Sequence, residues 1–196
     1  MLKIQANSRQ IPNVEKYTAD KKYNDLLYGV LQEISVLDGQ YRYVNKNDVN
    51  FTQLGRKIGV TRQTASSKFK NLIALGLIEY KEGENRYQLN YLDKTLCSLV
   101  PFETLRKINN SLSQNAISTF VFLLKRYIAN GEKEFIVTIF QIKKFIGIAT
   151  STTSNNEIVT DILEVLSLLK LIQYEVIMTE KDKSNIIIKR VNNVIK

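Results

Sequence analysis

Histidine is absent from this 196-residue chain, and cysteine occurs once, as Cys97. Without an imidazole there is no Ser-His-Asp triad, no histidine general base and no histidine metal ligand. A single cysteine excludes an internal disulfide and leaves almost no route to a zinc site. Cys97 lies in the apolar run 92–100, where a buried, inert thiol is expected. Initiators that combine metal-binding histidines with a tyrosine nucleophile are excluded. Tyrosine recombinases, which usually need a histidine in their arginine-rich site, are not expected. No G-x-x-x-x-G-K-[ST] phosphate loop occurs, and the ten tyrosines show no catalytic constellation. The expectation is a protein that is not an enzyme and uses no cofactor or metal. Only 2 prolines and 8 glycines are present, which argues against long disordered linkers. No apolar run reaches the ~18 residues that a membrane helix needs, and the opening MLKIQANSRQIPN has no apolar leader core. A cytoplasmic, nucleoid-associated location in a bacterium or phage is expected, with no membrane partner.

What the chain does have is positive charge. Lys and Arg number 28 against 19 Asp and Glu, a net charge of +9 and a pI near 9.5. That balance favours polyanions, because each cation placed at a phosphate releases counterions. No basic amphipathic anchor stands out, so nucleic acid is favoured over a membrane surface. Hydrophobic residues make up 44%, ample for a packed core.

The charge meets a pattern at residues 59–80, GVTRQTASSKFKNLIALGLIEY. Gly59-Val60-Thr61 has the composition of a tight turn, with Gly59 free of Cβ strain and Thr61 able to N-cap a helix over about 62–75. Ala65, Phe69, Leu72 and Ile73 recur at three- and four-residue spacing and are expected to be buried. The opposite face carries Arg62, Gln63, Thr64, Ser66, Ser67, Lys68 and Asn71, none acidic. Upstream, 51–58 fits a short helix with Phe51, Leu54 and Ile58 inward and Gly55 at a close crossing. Downstream, 78–81 and 86–89 fit two strands around the turn 82–85. Between Phe51 and Asn71 there are five basic residues (Arg56, Lys57, Arg62, Lys68, Lys70) and no acid.

This spacing resembles the winged-helix DNA-binding families, such as the MarR-like and Crp-like regulators. Gly59, Val60, Arg62, Gln63, Thr64, Ser66, Leu72, Gly76, Leu77 and Ile78 match their common pattern, while Ala65 is smaller than usual. The resemblance implies a helix-turn-helix at about 51–75 and a wing at about 78–89. Arg62, Gln63, Thr64, Ser66 and Ser67 would then face base edges. Thr61, Lys57, Lys68, Asn71, Lys81 and Arg86 would hold the DNA backbone. A winged helix that contacts only protein is the alternative.

The second half repeats the order. Residues 114–130 fit a strong helix with Ile117, Phe120, Val121, Leu124 and Ile128 on one face, matching 22–37. A short extended piece follows, then Phe145-Ile146-Gly147 in place of Lys57-Ile58-Gly59. A longer helix over 156–169 comes next, and Leu171-Ile172-Gln173-Tyr174 matches Leu77-Ile78-Glu79-Tyr80. The expected fold is mainly α with small β-hairpin wings (α+β), as two tandem winged-helix domains at 1–95 and 96–196. The connector 90–110 should be partly helical, with Pro101 breaking it or opening a helix. The second copy differs where DNA would lie. Its turn is longer, and its helix carries Glu157, Asp161 and Glu164, which repel phosphate. Lys143, Lys144, Thr150, Ser151, Lys181 and Lys183 are its candidate DNA contacts. Otherwise this surface meets protein.

Two winged helices without an effector domain resemble the initiators of theta-replicating plasmids and some phages. The resemblance implies binding to repeated origin sites in double-stranded DNA, distortion of adjacent AT-rich DNA and recruitment of host replication factors. A transcriptional regulator of a mobile element, meeting host transcription factors, and a protein-binding adaptor are the alternatives. A homodimer through the C-terminal half or the N-terminal segment is a further candidate contact.

Overall fold

The computed structural model describes residues 8–12, 25–90, 97–111, 114–152, 154–177 and 185–192. They form a mixed α+β structure with seven α-helices and three antiparallel sheets. The first half runs β1 (Ser8–Pro12), α1 (Asp25–Ile34), β2 (Val36–Asp38), β3 (Tyr41–Asn45), α2 (Phe51–Ile58), α3 (Arg62–Ala74), β4 (Ile78–Lys81) and β5 (Arg86–Leu89). The second runs β6 (Cys97–Pro101), α4 (Phe102–Ser111), α5 (Gln114–Ala129), β7 (Phe135–Thr138), α6 (Ile139–Ile146), α7 (Ser154–Leu168), β8 (Ile172–Ile177) and β9 (Asn185–Val191).

The expected repeat is present in the element order and in its hydrogen bonds. Apart from β1 and β2 in the first half and β6 and α4 in the second, each half runs helix, strand, helix, helix, strand, strand. In each sheet the last strand is central: β5 lies between β3 and β4, and β9 between β7 and β8. Both short helices have a side-chain N-cap and end on a left-handed glycine. Asn50 caps α2, which ends at Gly59 (φ 73°), and Thr138 and Gln141 form a capping box on α6, which ends at Gly147 (φ 70°). The hairpin entries also correspond. Asn90 donates its side-chain amide to the Gly76 carbonyl (2.9 Å) and its backbone N–H to Leu77 (3.0 Å). Asn192 does the same to Lys170 (2.8 Å) and Leu171 (2.7 Å). Gly76 has φ 69° and Lys170 φ 58°, so the lysine holds a left-handed conformation that the first copy gives to glycine.

The core differs from a pair of separate clusters. Leu54, Ile58, Phe69, Leu72 and Ile78 from one half, and Phe120, Leu124, Ile146, Ile162 and Leu166 from the other, belong to one continuous apolar cluster. Helix α1 joins them, since it packs on α2 and α3 and also on α4 and α5. It is apolar nearly all round at Leu26, Leu27, Tyr28, Val30 and Leu31, as a helix between two layers must be. The Tyr28 hydroxyl donates to the Asn90 carbonyl at 2.6 Å and latches α1 to the end of β5.

Other departures are local. The first helix stops at Ile34, and Val36–Asp38 turns back as an extra strand on β3. The connector 90–110 holds a strand before its helix: β6 pairs with β1 in register Ser8↔Pro101 to Pro12↔Cys97. Both prolines of the chain thus sit at strand ends of this ribbon, where a missing N–H is tolerated. Pro101 precedes the first residue of α4, as its stiff φ suggested. Ile73 (40% exposed) and Ile128 (56%) lie at the edges of their helices' apolar stripes and face outward, against expectation.

Phe69 stands edge-on to Phe51 (centroids 5.4 Å apart) and to Tyr87 (5.0 Å), linking α2, α3 and β5. Phe69→Ala should therefore cost about 3–5 kcal/mol in denaturant unfolding, whereas Ile73→Ala should cost less than about 1 kcal/mol. Lys170→Gly should raise stability by roughly 1 kcal/mol by relieving the left-handed backbone. A thermal or denaturant midpoint for Lys170→Gly at or below the parent's would refute that account of the turn.

Candidate nucleic-acid interface

The corner between α2 and α3 is built on a close approach. A Cβ placed on Gly55 would lie 2.6 Å from the Val60 carbonyl oxygen, so only glycine lets the turn fold back over α2. Gly59 supplies the left-handed residue, and Val60 N–H donates to Gly55 O at 2.9 Å. The Ile58 carbonyl, orphaned at the helix end, accepts from the Asn109 side chain at 3.0 Å. Helix α4 therefore braces the corner from outside the first repeat. Thr61 then caps α3: its hydroxyl accepts from Thr64 N–H (3.2 Å) and shares a hydrogen bond with the Thr64 hydroxyl (2.9 Å).

Ala65, Phe69 and Leu72 anchor α3 in the core, and its other face is set outward by that phase. Arg62, Gln63, Ser67 and Lys70 are exposed, while Thr64 and Ser66 are half-buried. Arg62 and Gln63 make no hydrogen bond or ion pair among the described residues. Lys70 lies one turn beyond Ser66 and Ser67 on the same face. It shares the outward face of the expected readers as a cation suited to phosphate, and its spacing from Gln63 and Ser66 was the available signal. Lys68 and Asn71 are half-buried and engaged within the chain. Arg56 and Lys57 are exposed on the last turn of α2, and Lys57 approaches Glu33 only at 3.8 Å, a surface pair of small worth. Gly55, Arg56, Gly59, Val60, Thr61 and Thr64 line a shallow open depression at the corner. No acid occupies the first turn of α3, where the helix dipole presents partial positive charge.

The hairpin β4–β5 is electrostatically different from expectation. Arg86, a candidate backbone contact, is tied to Asp38 (2.6 Å) and to Glu84, and its guanidinium stacks 3.7 Å over the Tyr43 ring. The hydrogen bond it donates to Asp38, then that to Glu84, holds its pKa above the ordinary value. Lys81 is paired with Glu79 at 2.7 Å, and that bond raises its pKa likewise. With Glu82 and Glu84 exposed at the turn, the hairpin offers phosphate no unneutralised cation of its own. Arg86 is a brace between β5 and β2, and an intramolecular carboxylate already fills the role assigned to DNA. A basic group beside the hairpin comes instead from Lys46, whose ammonium lies 5.2 Å from the Tyr80 ring centroid. It follows β3 in sequence, far from the hairpin, so periodicity gave no sign of it.

In the second half, Lys143 is 2% exposed, and its ammonium donates to the Thr152 carbonyl at 2.9 Å. It pins the long turn after α6 and cannot reach DNA. Lys144, Thr150 and Ser151 are exposed, with Lys144 engaged within the chain. Lys181 and Lys183 lie outside the described residues. Lys189 bridges Glu134 (3.1 Å) and Glu175 (3.3 Å), and these bonds raise its pKa. Glu157, Asp161 and Glu164 on α7 are exposed and have no ion pair among the described residues. No three His, Cys, Asp or Glu side chains among the described residues are grouped to hold a metal, and no described helix is long and apolar enough to cross a membrane.

No protein-family model, curated protein or solved structure matches the chain.

Removing Arg86 should loosen the hairpin without touching nucleic-acid affinity. Arg86→Ala should speed amide exchange in β4 and β5 and leave the salt slope of duplex binding unchanged. A slope shallower by about one unit, with exchange unaltered, would return Arg86 to the phosphate contacts.

Proposed function

We propose that this chain is a sequence-specific double-stranded DNA-binding protein built from two tandem winged helices, and that the first reads DNA through α3. The single observation that carries this is the outward face of α3. Arg62, Gln63, Ser66, Ser67 and Lys70 stand together on a helix anchored by its opposite face and free of acid. Arg56 and Lys57 lie at the adjacent corner. A helix of this kind fits a major groove. Arg62 suits a bidentate contact to guanine and Gln63 one to adenine, each worth about 1–3 kcal/mol against the wrong base. Lys70, Lys57 and Arg56 suit phosphate, which fixes register without reading sequence. The repeated order of helix, strand, helix, helix and hairpin supports the tandem reading, and the division near residue 95 follows from it.

The biological setting favoured by this arrangement is recognition of repeated origin sites in the replication of a plasmid or phage. Two copies of one winged-helix unit, the first of them carrying the DNA-reading face, with no effector domain between them suit that task. Regulation of transcription on a mobile element is the alternative, and an origin with direct repeats against a promoter with a palindrome separates the two.

The test is selection of binding sites from random duplex DNA. Wild-type protein should enrich one motif, and Arg62→Ala and Gln63→Ala should each relax it at one or two base pairs. Lys70→Ala should keep the motif and weaken binding to all sequences, with a salt slope shallower by roughly one. Enrichment of no motif by the wild type, or of an identical motif by the Arg62 and Gln63 variants, would remove α3 as reader and leave a protein-binding adaptor.

A further inference from the structure

Helices α3 and α7 occupy the same place in the two repeats, yet their outward faces are opposite in chemistry. On α7, Val159, Ile162, Leu163 and Leu166 fill the core. A second apolar stripe runs along its outside: Ile158 is 40% exposed, Val165 half-buried and Leu168 74% exposed. With Asp161 these positions are spaced three, four and three residues apart, the spacing of a seam that packs against another helix. Glu157 and Glu164 border the seam, each immediately before an apolar member.

We infer that this face is a docking surface for a basic amphipathic helix supplied by another protein. The apolar positions give such a helix a surface to cover, and the charges decide what covers it. Glu157 and Glu164 stand where flanking residues of a paired helix meet, so the partner carries Lys or Arg at its flanks. Asp161 lies within the seam and needs a cation opposite it, because a covered carboxylate without a partner is costly. Two copies of α7 packed on each other would bring six carboxylates together, so this face is unsuited to a symmetric contact between copies. The same carboxylates oppose phosphate, so it is unsuited to DNA. The first repeat thus takes a polyanion and the second a polycation, which would let one chain hold DNA and a protein together. This goes beyond the DNA-binding proposal and does not depend on which bases α3 reads.

The experiment uses the full chain and a labelled synthetic peptide of three heptads, with Leu and Ile along the seam and Lys at the flanks, followed by fluorescence anisotropy. Saturable binding is expected. Leu168→Asp should weaken it at least tenfold, and so should the triple variant Glu157→Lys, Asp161→Lys, Glu164→Lys. The triple variant should gain affinity for the same peptide with Glu in place of Lys. All three acids and Leu168 are exposed, so the melting curves by circular dichroism should match the parent's. No saturable binding would overturn the inference, as would equal binding of a scrambled peptide of the same composition or no gain by the Glu peptide. Two further results would overturn it by naming another occupant. Loss of a wild-type dimer in sedimentation on Leu168→Asp would assign the face to a second copy. Much tighter duplex binding by the triple variant, with a steeper salt slope, would assign it to DNA. Failure of the α3 reading shows separately, as absence of a selected DNA motif while peptide binding persists.

Discussion

The presentation of α3 depends on the missing side chain of Gly55. With a Cβ there, 2.6 Å from the Val60 carbonyl, the turn would have to lift off α2 and carry α3 with it. The close approach sets the angle between the two helices. That angle brings Phe69 between Phe51 and Tyr87, and the phase of Phe69 directs Arg62, Gln63, Ser67 and Lys70 outward. The corner is further held by Asn109 on the Ile58 carbonyl, a contact between residues 51 positions apart. The face proposed to meet DNA is thus rigid because its back is packed and its corner braced, which is what discrimination between bases requires.

The same repeat serves two electrostatic environments. Hydrogen bonds at the hairpin entry, left-handed residues at helix ends and the central placement of β5 and β9 are common to both copies. These features lie at helix ends and in the sheets and place no demand on the outward side chains of α3 and α7. Exposed positions are constrained only by solvation, so α3 and α7 can carry opposite charge on one scaffold. The continuous core through α1 joins the copies and keeps their surfaces in a fixed relation.

Several lysines and arginines that look available for phosphate are used within the chain. Arg86 is held by Asp38 and Glu84, Lys189 by Glu134 and Glu175, and the buried Lys143 by the Thr152 carbonyl. A net charge of +9 therefore overstates the cationic surface at the hairpins and understates its concentration at the corner and α3. Charge counts locate a partner class, whereas ion pairs decide which cations remain to meet it.

The sequence by itself determined the turn at 59–61, the cap at Thr61, the phases of α2 and α3 at Leu54, Ile58, Phe69 and Leu72, the two hairpins and the repeat. All of these are set by residues within a few positions of each other, through helix periodicity, capping and the backbone freedom of glycine. Only the tertiary structure decided that β1 pairs with β6, that α1 merges two cores into one, that Ile73 and Ile128 fall outside their stripes, and that Arg86 and Lys143 turn inward. Each of the first two joins segments far apart in the chain. The Arg86–Asp38 pair spans 48 positions, and no local pattern records which carboxylate a folded chain will bring to a given guanidinium. The outward residues of α3 were legible because the buried ones fixed the helix phase. The fate of the hairpin cations was not, because it depended on neighbours supplied by another strand.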